Sequence, residues 1–280
     1  MTHLGSDKPW GIKWAHRDDP IFDLDFDVIE TYPNGDKLPS MMISEPILDE
    51  NENYNGRTFV MSYPFYTDID GNDALYYGGC YYEEAMSYTS PENKKKRIEC
   101  FQAAELLYRH SAGRGNPMAN LCLGYIYSYD RCEGAYWRDP DTLETDEDYS
   151  RPYPTKERAF ECLSIAAEAG IPEASYKLGD MYKHGIGCEL NAEEAFKCYT
   201  RAAKLGEKEP PVILGSIALR LAGCYEEGFG CKQDFEQAFE WYKKAVDGLE
   251  FAVEHGQAWY EKALAGAHAG KKRCQQEISY

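Results

Sequence analysis

Tyr127 follows Ala104 by 23 positions, and Tyr182 follows Ala159 by 23 again. Within the two stretches the same residue types fall at the same offsets: Gly115 with Gly170, Pro117 with Pro172, Ala119 with Ala174, and Leu123-Gly124 with Leu178-Gly179. A third stretch, Ala195 to Tyr225, measures 30, and Pro210-Pro211 lies in its seven-residue excess. The complementary half is a step of 13 positions from Tyr182 to Ala195 and of 13 again from Tyr225 to Ala238, which makes a base unit of 36. A period of this length belongs to a solenoid, a stack of small supersecondary units that bury their apolar faces on one another.

The residues inside the unit predict a helix hairpin. Ala174, Leu178 and Tyr182 step by four, so they share one helical face. Gly179 sits in mid-helix at a propensity cost of ~1 kcal/mol against Ala, which predicts another helix passing too close for a Cβ. Gly185 and Gly187, like Gly228 and Gly230, end the first helix and turn the chain. Asn191 with Glu194, and Asp234 with Gln237, are spaced as capping pairs for the second helix. Pro117 and Pro172 open first helices where no amide hydrogen is needed.

Residues 178–206 read LGDMYKHGIGCELNAEEAFKCYTRAAKLG, and residues 221–246 read LAGCYEEGFGCKQDFEQAFEWYKKAV. Both resemble the Sel-one-like repeat (SLR) family, a relative of the tetratricopeptide repeats, with its pattern LGxxYxxGxGV, a polar turn, then KAxxWYxKAAxxG. A weaker copy keeps Leu123-Gly124, Tyr127, Ala159 and Ala166-Ala167 to Gly170. The weakest begins at Tyr77-Gly78-Gly79-Cys80-Tyr81 and continues through Ala104, Ser111 and Gly115. The resemblance implies an all-α fold, a right-handed α-solenoid of about four helix-hairpin repeats over residues 74–250, followed by a C-terminal capping helix and tail at 251–280.

Residues 1–73 do not fit the repeat. Ile21 to Val28 alternates with period two, and Tyr32-Pro33-Asn34-Gly35-Asp36 is a turn signal ahead of Lys37 to Ser44, so a β-hairpin is predicted over 21–44. Thr58 to Tyr66 reads as another extended segment. This extension is expected to lay its Phe22, Leu24, Phe26 and Val28 face on the degenerate first repeat as a cap. Asp23, Asp25 and Asp27 then form its solvent face.

Charge is unevenly placed. The net charge is -18, and the acidic excess lies outside the repeats: 15 acids against 5 bases in residues 1–73, and 8 against 3 in residues 128–154. Such a chain repels phosphate backbones, which excludes nucleic acid as its natural partner. The Lys94-Lys95-Lys96-Arg97 run reads as a solvated helix start. The stretch between Tyr129 and Thr155 is longer by 19 residues than the base unit requires. It is expected to be an exposed acidic loop whose removal, from Glu133 to Arg151, leaves the fold intact.

The opening MTHLGSDKPWGIKW has no apolar secretory core, and no stretch approaches the ~18 apolar residues of a membrane span. The ten cysteines recur singly at hydrophobic repeat positions: Cys188 and Cys231 at the Val position, Cys162 and Cys198 at the Trp position, Cys80 and Cys224 in one first-helix slot. They are therefore read as reduced thiols in a cytoplasmic protein.

Catalytic and cofactor motifs are absent from the sequence: no Cys-x-x-Cys, His-Glu-x-x-His, Gly-x-Ser-x-Gly, Walker loop or dinucleotide fingerprint. His184 and Cys188 flank a turn without a second ligand pair, and Asp68 to Asp73 places glycine fourth rather than sixth as a calcium loop requires. No catalytic residue, metal or cofactor is expected. Function is read from shape. With Ala174, Leu178 and Tyr182 buried, the opposite first-helix face carries Tyr176, Asp180 and Lys183. Corresponding or adjacent positions elsewhere are Tyr76 and Tyr82, Tyr125 and Tyr129, and Arg220 and Glu226. Tyrosine and arginine favour binding hot spots. The chain therefore reads as a monomeric, non-catalytic scaffold that holds a protein or peptide segment in this groove. The alternative is an enzyme or a small-ligand or cation binder, with Asp23, Asp25, Asp27, Asp68 and Asp70 converging between the extension and the first repeat.

Overall fold

The computed structural model describes residues 71–136 and 151–279, together with the backbone of five strands between residues 13 and 64. The body is all-α. Among the described residues it contains α1 (Gly71–Ser87), α2 (Lys94–Gly113), α3 (Pro117–Ser128), α4 (Thr155–Glu168), α5 (Pro172–His184), α6 (Ala192–Leu205), α7 (Pro211–Glu227), α8 (Phe235–Glu254) and α9 (Glu261–Ile278). The chain divides into two compact units, Met1–Thr155 and Lys156–Tyr280. Helices α1 and α2 pack as a hairpin in the first unit, α5 with α6 and α7 with α8 pack as hairpins in the second, and α9 follows against α8.

In the first unit the strands are β1 (Lys13–His16), β2 (Glu30–Thr31), β3 (Lys37–Leu38), β4 (Ser40–Leu48) and β5 (Tyr54–Pro64). The pair β2–β3 flanks the predicted turn, with Glu30 opposite Leu38. The longer hairpin is β4–β5, in which Ile43 faces Met61, and β1 lies antiparallel on the other side of β5. The alternating segment 21–28, its Phe22–Val28 face, and Asp23, Asp25, Asp27, Asp68 and Asp70 lie outside the described residues.

Helices α1 and α2 meet where Gly78 faces the Tyr108 ring: a Cβ there would stand 2.6 Å from the ring edge. Tyr108, Phe101, Ala104 and Leu106 are all buried. From α3 the Tyr127 hydroxyl donates to the fully buried Glu105 of α2 at 2.9 Å. Beyond α3 the chain makes a tight turn in which Asp130 (φ 45°) and Glu133 (φ 49°) are left-handed. The Asp130 carboxylate holds the turn, accepting from the Tyr136 hydroxyl at 2.8 Å and from the Gly134 N–H at 3.3 Å.

This turn corrects the expectation of an exposed loop. Cys132, Ala135 and Tyr136 are buried, and Tyr136 stacks on Tyr153 with centroids 4.6 Å apart. Gln102 donates to the Ala135 carbonyl at 2.5 Å, while Lys94 and Arg97 grip Glu133 at 3.2 and 2.6 Å. Thus Lys94 and Arg97, read as solvated, are tied, and the start of the insertion is part of the core.

In the second unit the hairpin logic holds with two changes of detail. Gly179 makes room for the ring of Tyr199 on α6, 2.5 Å from where a Cβ would stand, rather than for a passing helix backbone. The caps are one-sided. Asn191 accepts from the Glu194 N–H at 3.1 Å and Asp234 from the Gln237 N–H at 2.9 Å. Each cap's own N–H donates back to the first helix, Asn191 to the Tyr182 carbonyl and Asp234 to the Tyr225 carbonyl. Glu194, free of the reciprocal bond, pairs instead with Lys197 at 2.7 Å.

Gly187 and Gly230 carry the contact between repeats. Both have positive φ, 66° and 70°. A Cβ on Gly187 would collide with the Lys156 carbonyl at the start of α4, and one on Gly230 with the Ala192 carbonyl at the start of α6. Each turn thus lies backbone to backbone on the preceding second helix. The seven-residue excess is absorbed by a 3-10 turn, Gly206–Lys208, and by a longer first helix: α7 has 17 residues against 13 in α5.

Candidate partner-binding face

In the second unit the predicted face residues come together, but mostly on one another. Asp180 of α5 and Arg220 of α7 form a bidentate pair, Nε to Oδ1 and Nη2 to Oδ2, both at 2.6 Å. The Tyr199 hydroxyl of α6 also donates to Asp180, at 2.8 Å. Arg220 spends a third donor on the Ser216 carbonyl at 2.8 Å and lies 4.6 Å above the Tyr176 ring. Burial pulls the Arg220 guanidinium pKa down, but the Asp180 carboxylate more than offsets this and holds it above the ordinary range. Burial and then the Asp180 charge push the Tyr199 hydroxyl pKa well up.

Tyr176 departs from the reading that gave it to the groove. It is only 4% exposed, because α5 is packed on two sides: Ala174 and Leu178 are buried along one stripe and Tyr176 along another, against α6 and α7. Burial, then the Glu173 carboxylate that accepts its hydroxyl at 3.3 Å, raise its pKa. Tyr182, expected to be buried, is half-buried and meets Phe160 edge-on at 5.3 Å.

The same arrangement recurs one repeat on. Glu226 of α7 accepts from Tyr242 of α8 at 2.5 Å and from Arg273 of α9 at 2.6 and 2.9 Å. Burial opposes ionisation of Glu226, yet the bonds from Arg273 and Tyr242 prevail and lower its pKa below the usual carboxylate value. Lys183 completes the set, 3.7 Å from Glu227 and 5.2 Å from the Phe229 ring centroid. An acid on one first helix, a tyrosine on its second helix and an arginine on the next first helix form a repeated tie. Tyr199, Tyr242 and Arg273 were not assigned from sequence. The tied pairs are 40 and 47 residues apart, so no fixed period pointed to them.

The first unit presents a different face. Met118, Cys122, Tyr125 and Tyr129 follow one another at spacings of four, three and four, along one side of α3 and its C-terminal end. Tyr129 is 53% exposed and Met118 42%, and Tyr76 of α1 is 48% exposed. Tyr125 and Tyr129 are stacked in parallel, centroids 6.0 Å apart. The guanidinium of Arg131 lies 5.0 Å from the Tyr129 ring, 5.5 Å from Phe101 and 5.7 Å from Tyr82. Its Nε is buried without a hydrogen bond among the described residues. Tyr82 packs edge-on against Phe101 at 5.3 Å. Arg131 escaped the sequence reading because it lies in a turn outside the repeat pattern.

None of the ten cysteines is joined in a disulfide. Among the described residues no three His, Cys, Asp or Glu side chains are grouped to hold a metal ion, and no helix is long and apolar enough to cross a membrane.

The Sel1 repeat family model matches residues 156–171, 172–207 and 218–248, the stretch that forms α4 to α8. The chain is 46% identical over 98 residues to the chitin synthase regulator SKT5 of Saccharomyces cerevisiae, covering 34% of this chain and 11% of that protein. It is 37% identical over 57 residues to the DAP3-binding cell death enhancer 1 of Mus musculus, covering 20% of this chain and 11% of that one. The match therefore spans about a tenth of each curated relative. A crystal structure of a Sel1 repeat protein from Oxalobacter formigenes aligns at 26% identity over 56% of this chain and 94% of its own, with a TM-score of 0.36. The chain thus carries Sel1 repeats between residues 156 and 248.

Proposed function

We propose that this protein is a non-catalytic interaction scaffold whose partner, a protein or peptide segment, docks on the first-helix face. The observation that carries the reading is the exposed aromatic stripe of the first unit. Tyr76, Met118 and Tyr129 remain more than two-fifths exposed on helices whose other faces are buried. Large apolar side chains held in place by stacking lose little freedom on binding, which is what a hot spot requires. Tyr76, Tyr82, Tyr125 and Tyr129 are thus the principal contacts. In the second unit Asp180, Arg220, Glu226 and the buried Tyr176 hold the helices in register, and Lys183 lies at the margin. The relatives fit a role exercised through other proteins, since one is named as a regulator of chitin synthase and the other as a DAP3-binding enhancer of cell death.

The test is retention of native partners by the full chain and by a Tyr76→Ala/Tyr129→Ala variant, with thermal unfolding measured in parallel. A partner kept by the parent chain and lost by the variant at unchanged Tm supports the reading. Equal retention by both chains sinks it.

A further inference from the structure

The segments Phe196 to Arg201 on α6 and Phe239 to Lys244 on α8 occupy the same repeat positions: Cys198 stands where Trp241 stands, and Arg201 where Lys244 stands. In the later repeat the indole of Trp241 is half-buried against the core cluster that contains Ala203, Ile217 and Leu221. Lys244 lies over it, Nζ 4.2 Å from the ring centroid. In the earlier repeat the small thiol leaves a cleft of about 330 Å³, bounded by Ser164 and Glu168 of α4, Leu178 and Tyr182 of α5, and Cys198 and Arg201 of α6. Leu178 and Tyr182 are the counterparts of Leu221 and Tyr225. The cleft thus has the floor of a tryptophan site and the cation that would cover it, but not the tryptophan.

We propose that this cleft receives an aromatic side chain, an indole, from a peptide segment of a partner, and that Arg201 closes over the ring as Lys244 closes over Trp241. The volume lies at the small end of ligand pockets and suits one side chain rather than a whole molecule. Burial keeps the Cys198 thiol above its ordinary pKa, so the wall presents a neutral, polarizable surface to the ring. Arg201 has an exposed stem, and its guanidinium can stack on the ring face while it stays in water. Glu168 on the rim offers an acceptor for the indole N–H. The site is built on second helices α4 and α6 and on the Leu178–Tyr182 side of α5, away from Asp180 and Lys183, so it is separate from the proposed first-helix face and survives if that reading fails.

The test uses the full chain, ¹⁵N-labelled, titrated with N-acetyltryptophanamide. The expected result is saturable amide shifts confined to the cleft segments of α4, α5 and α6. Cys198→Trp, in which the chain's own ring fills the space, should abolish them and raise Tm. Arg201→Ala, a change at an exposed position that does not threaten folding, should weaken binding about threefold. The amide of cyclohexylalanine, similar in bulk without a π face, should bind no better to the parent chain than to Arg201→Ala. The absence of saturable shifts means a mere packing defect and overturns the proposal, as does binding indifferent to Arg201→Ala. Cleft shifts that grow with protein concentration and vanish in Trp259→Ala would assign the occupant to a second copy, since Trp259 is 73% exposed, and would also overturn it.

Discussion

The first helices of the two units carry equivalent faces and use them differently. In the second unit the face is polar and satisfied: Asp180 and Glu226 each accept from a tyrosine and from a bidentate arginine of the next first helix. In the first unit the corresponding ground is aromatic, with one arginine held among three rings and two tyrosines stacked at the surface. A face whose charges are already paired has little left to offer a partner without breaking its own ties. An aromatic face offers contact area at little reorganisation. The comparison teaches that one repeat type can serve stacking in one place and recognition in another, with the division made by a few side chains.

That contrast can be broken most forcefully in the first unit. Tyr136→Ala removes a fully buried ring that stacks on Tyr153 and closes the Asp130 turn, and should cost about 3–5 kcal/mol by chemical denaturation. A loss below about 1 kcal/mol would return the turn to the status of a surface loop. Second in size is Gly230→Ala, which puts a Cβ into the Ala192 carbonyl at positive φ, and about 3 kcal/mol of destabilisation is expected. Gly223→Ala, with nothing within 4 Å, is its control and should be neutral or stabilising by up to about 1 kcal/mol. Equal effects of the two would refute the backbone contact between repeats.

Arg220→Ala tests the polar tie itself, with an expected loss of about 1–2 kcal/mol, since it strips Asp180 of two charge-assisted bonds in a half-buried setting. Arg220→Lys should recover only part of this, because an ammonium cannot form the fork. A double-mutant cycle with Asp180→Ala reads the coupling, and a coupling near zero would make the tie ornamental. The smallest effect concerns pH. The folded-state pKa of Glu226 lies below its unfolded value, so its contribution is fully present above the unfolded pKa, near ~4.3, and is lost as pH falls through the folded one. Arg273 is largely exposed, which limits the contribution to under about 1 kcal/mol. Acid unfolding of Glu226→Gln should lack that share of the slope, and superimposable curves would exclude the pair from the acid response.

Much of the fold was legible because helix stops, caps and core spacing are local. Gly185, Gly228, Asn191, Asp234 and Pro172 each act within one turn of chain, and each sits where the sequence placed it. The burial of Tyr176 was not legible: a period of 3.6 marks one apolar stripe, whereas a helix inside a stack is covered along two. The long hairpin β4–β5 was missed because residues 40–64 do not alternate cleanly. The ties of Asp180 and Glu226 were illegible for another reason. A charged residue on a helix surface reads as solvated until its partner, 40 or 47 residues away, is known. Arg131 shows the same limit, since its ring partners come from α1, α2 and the end of α3.

The turns at Gly187 and Gly230 have a consequence for how such a chain can lengthen. Each rests its backbone on the helix before it, so a residue added there would lift one repeat off another. The three places where this chain departs from its 36-residue unit all avoid them: seven extra residues join α6 to α7, and ten between Tyr81 and Ala104 and 19 after α3 fall in copies without the Gly-x-Gly. The glycine pair therefore acts as a length standard, and a foreign domain or tag spliced into the connection at Glu207–Glu209 should be carried as cargo where the same insertion beside Gly187 would unstack the array.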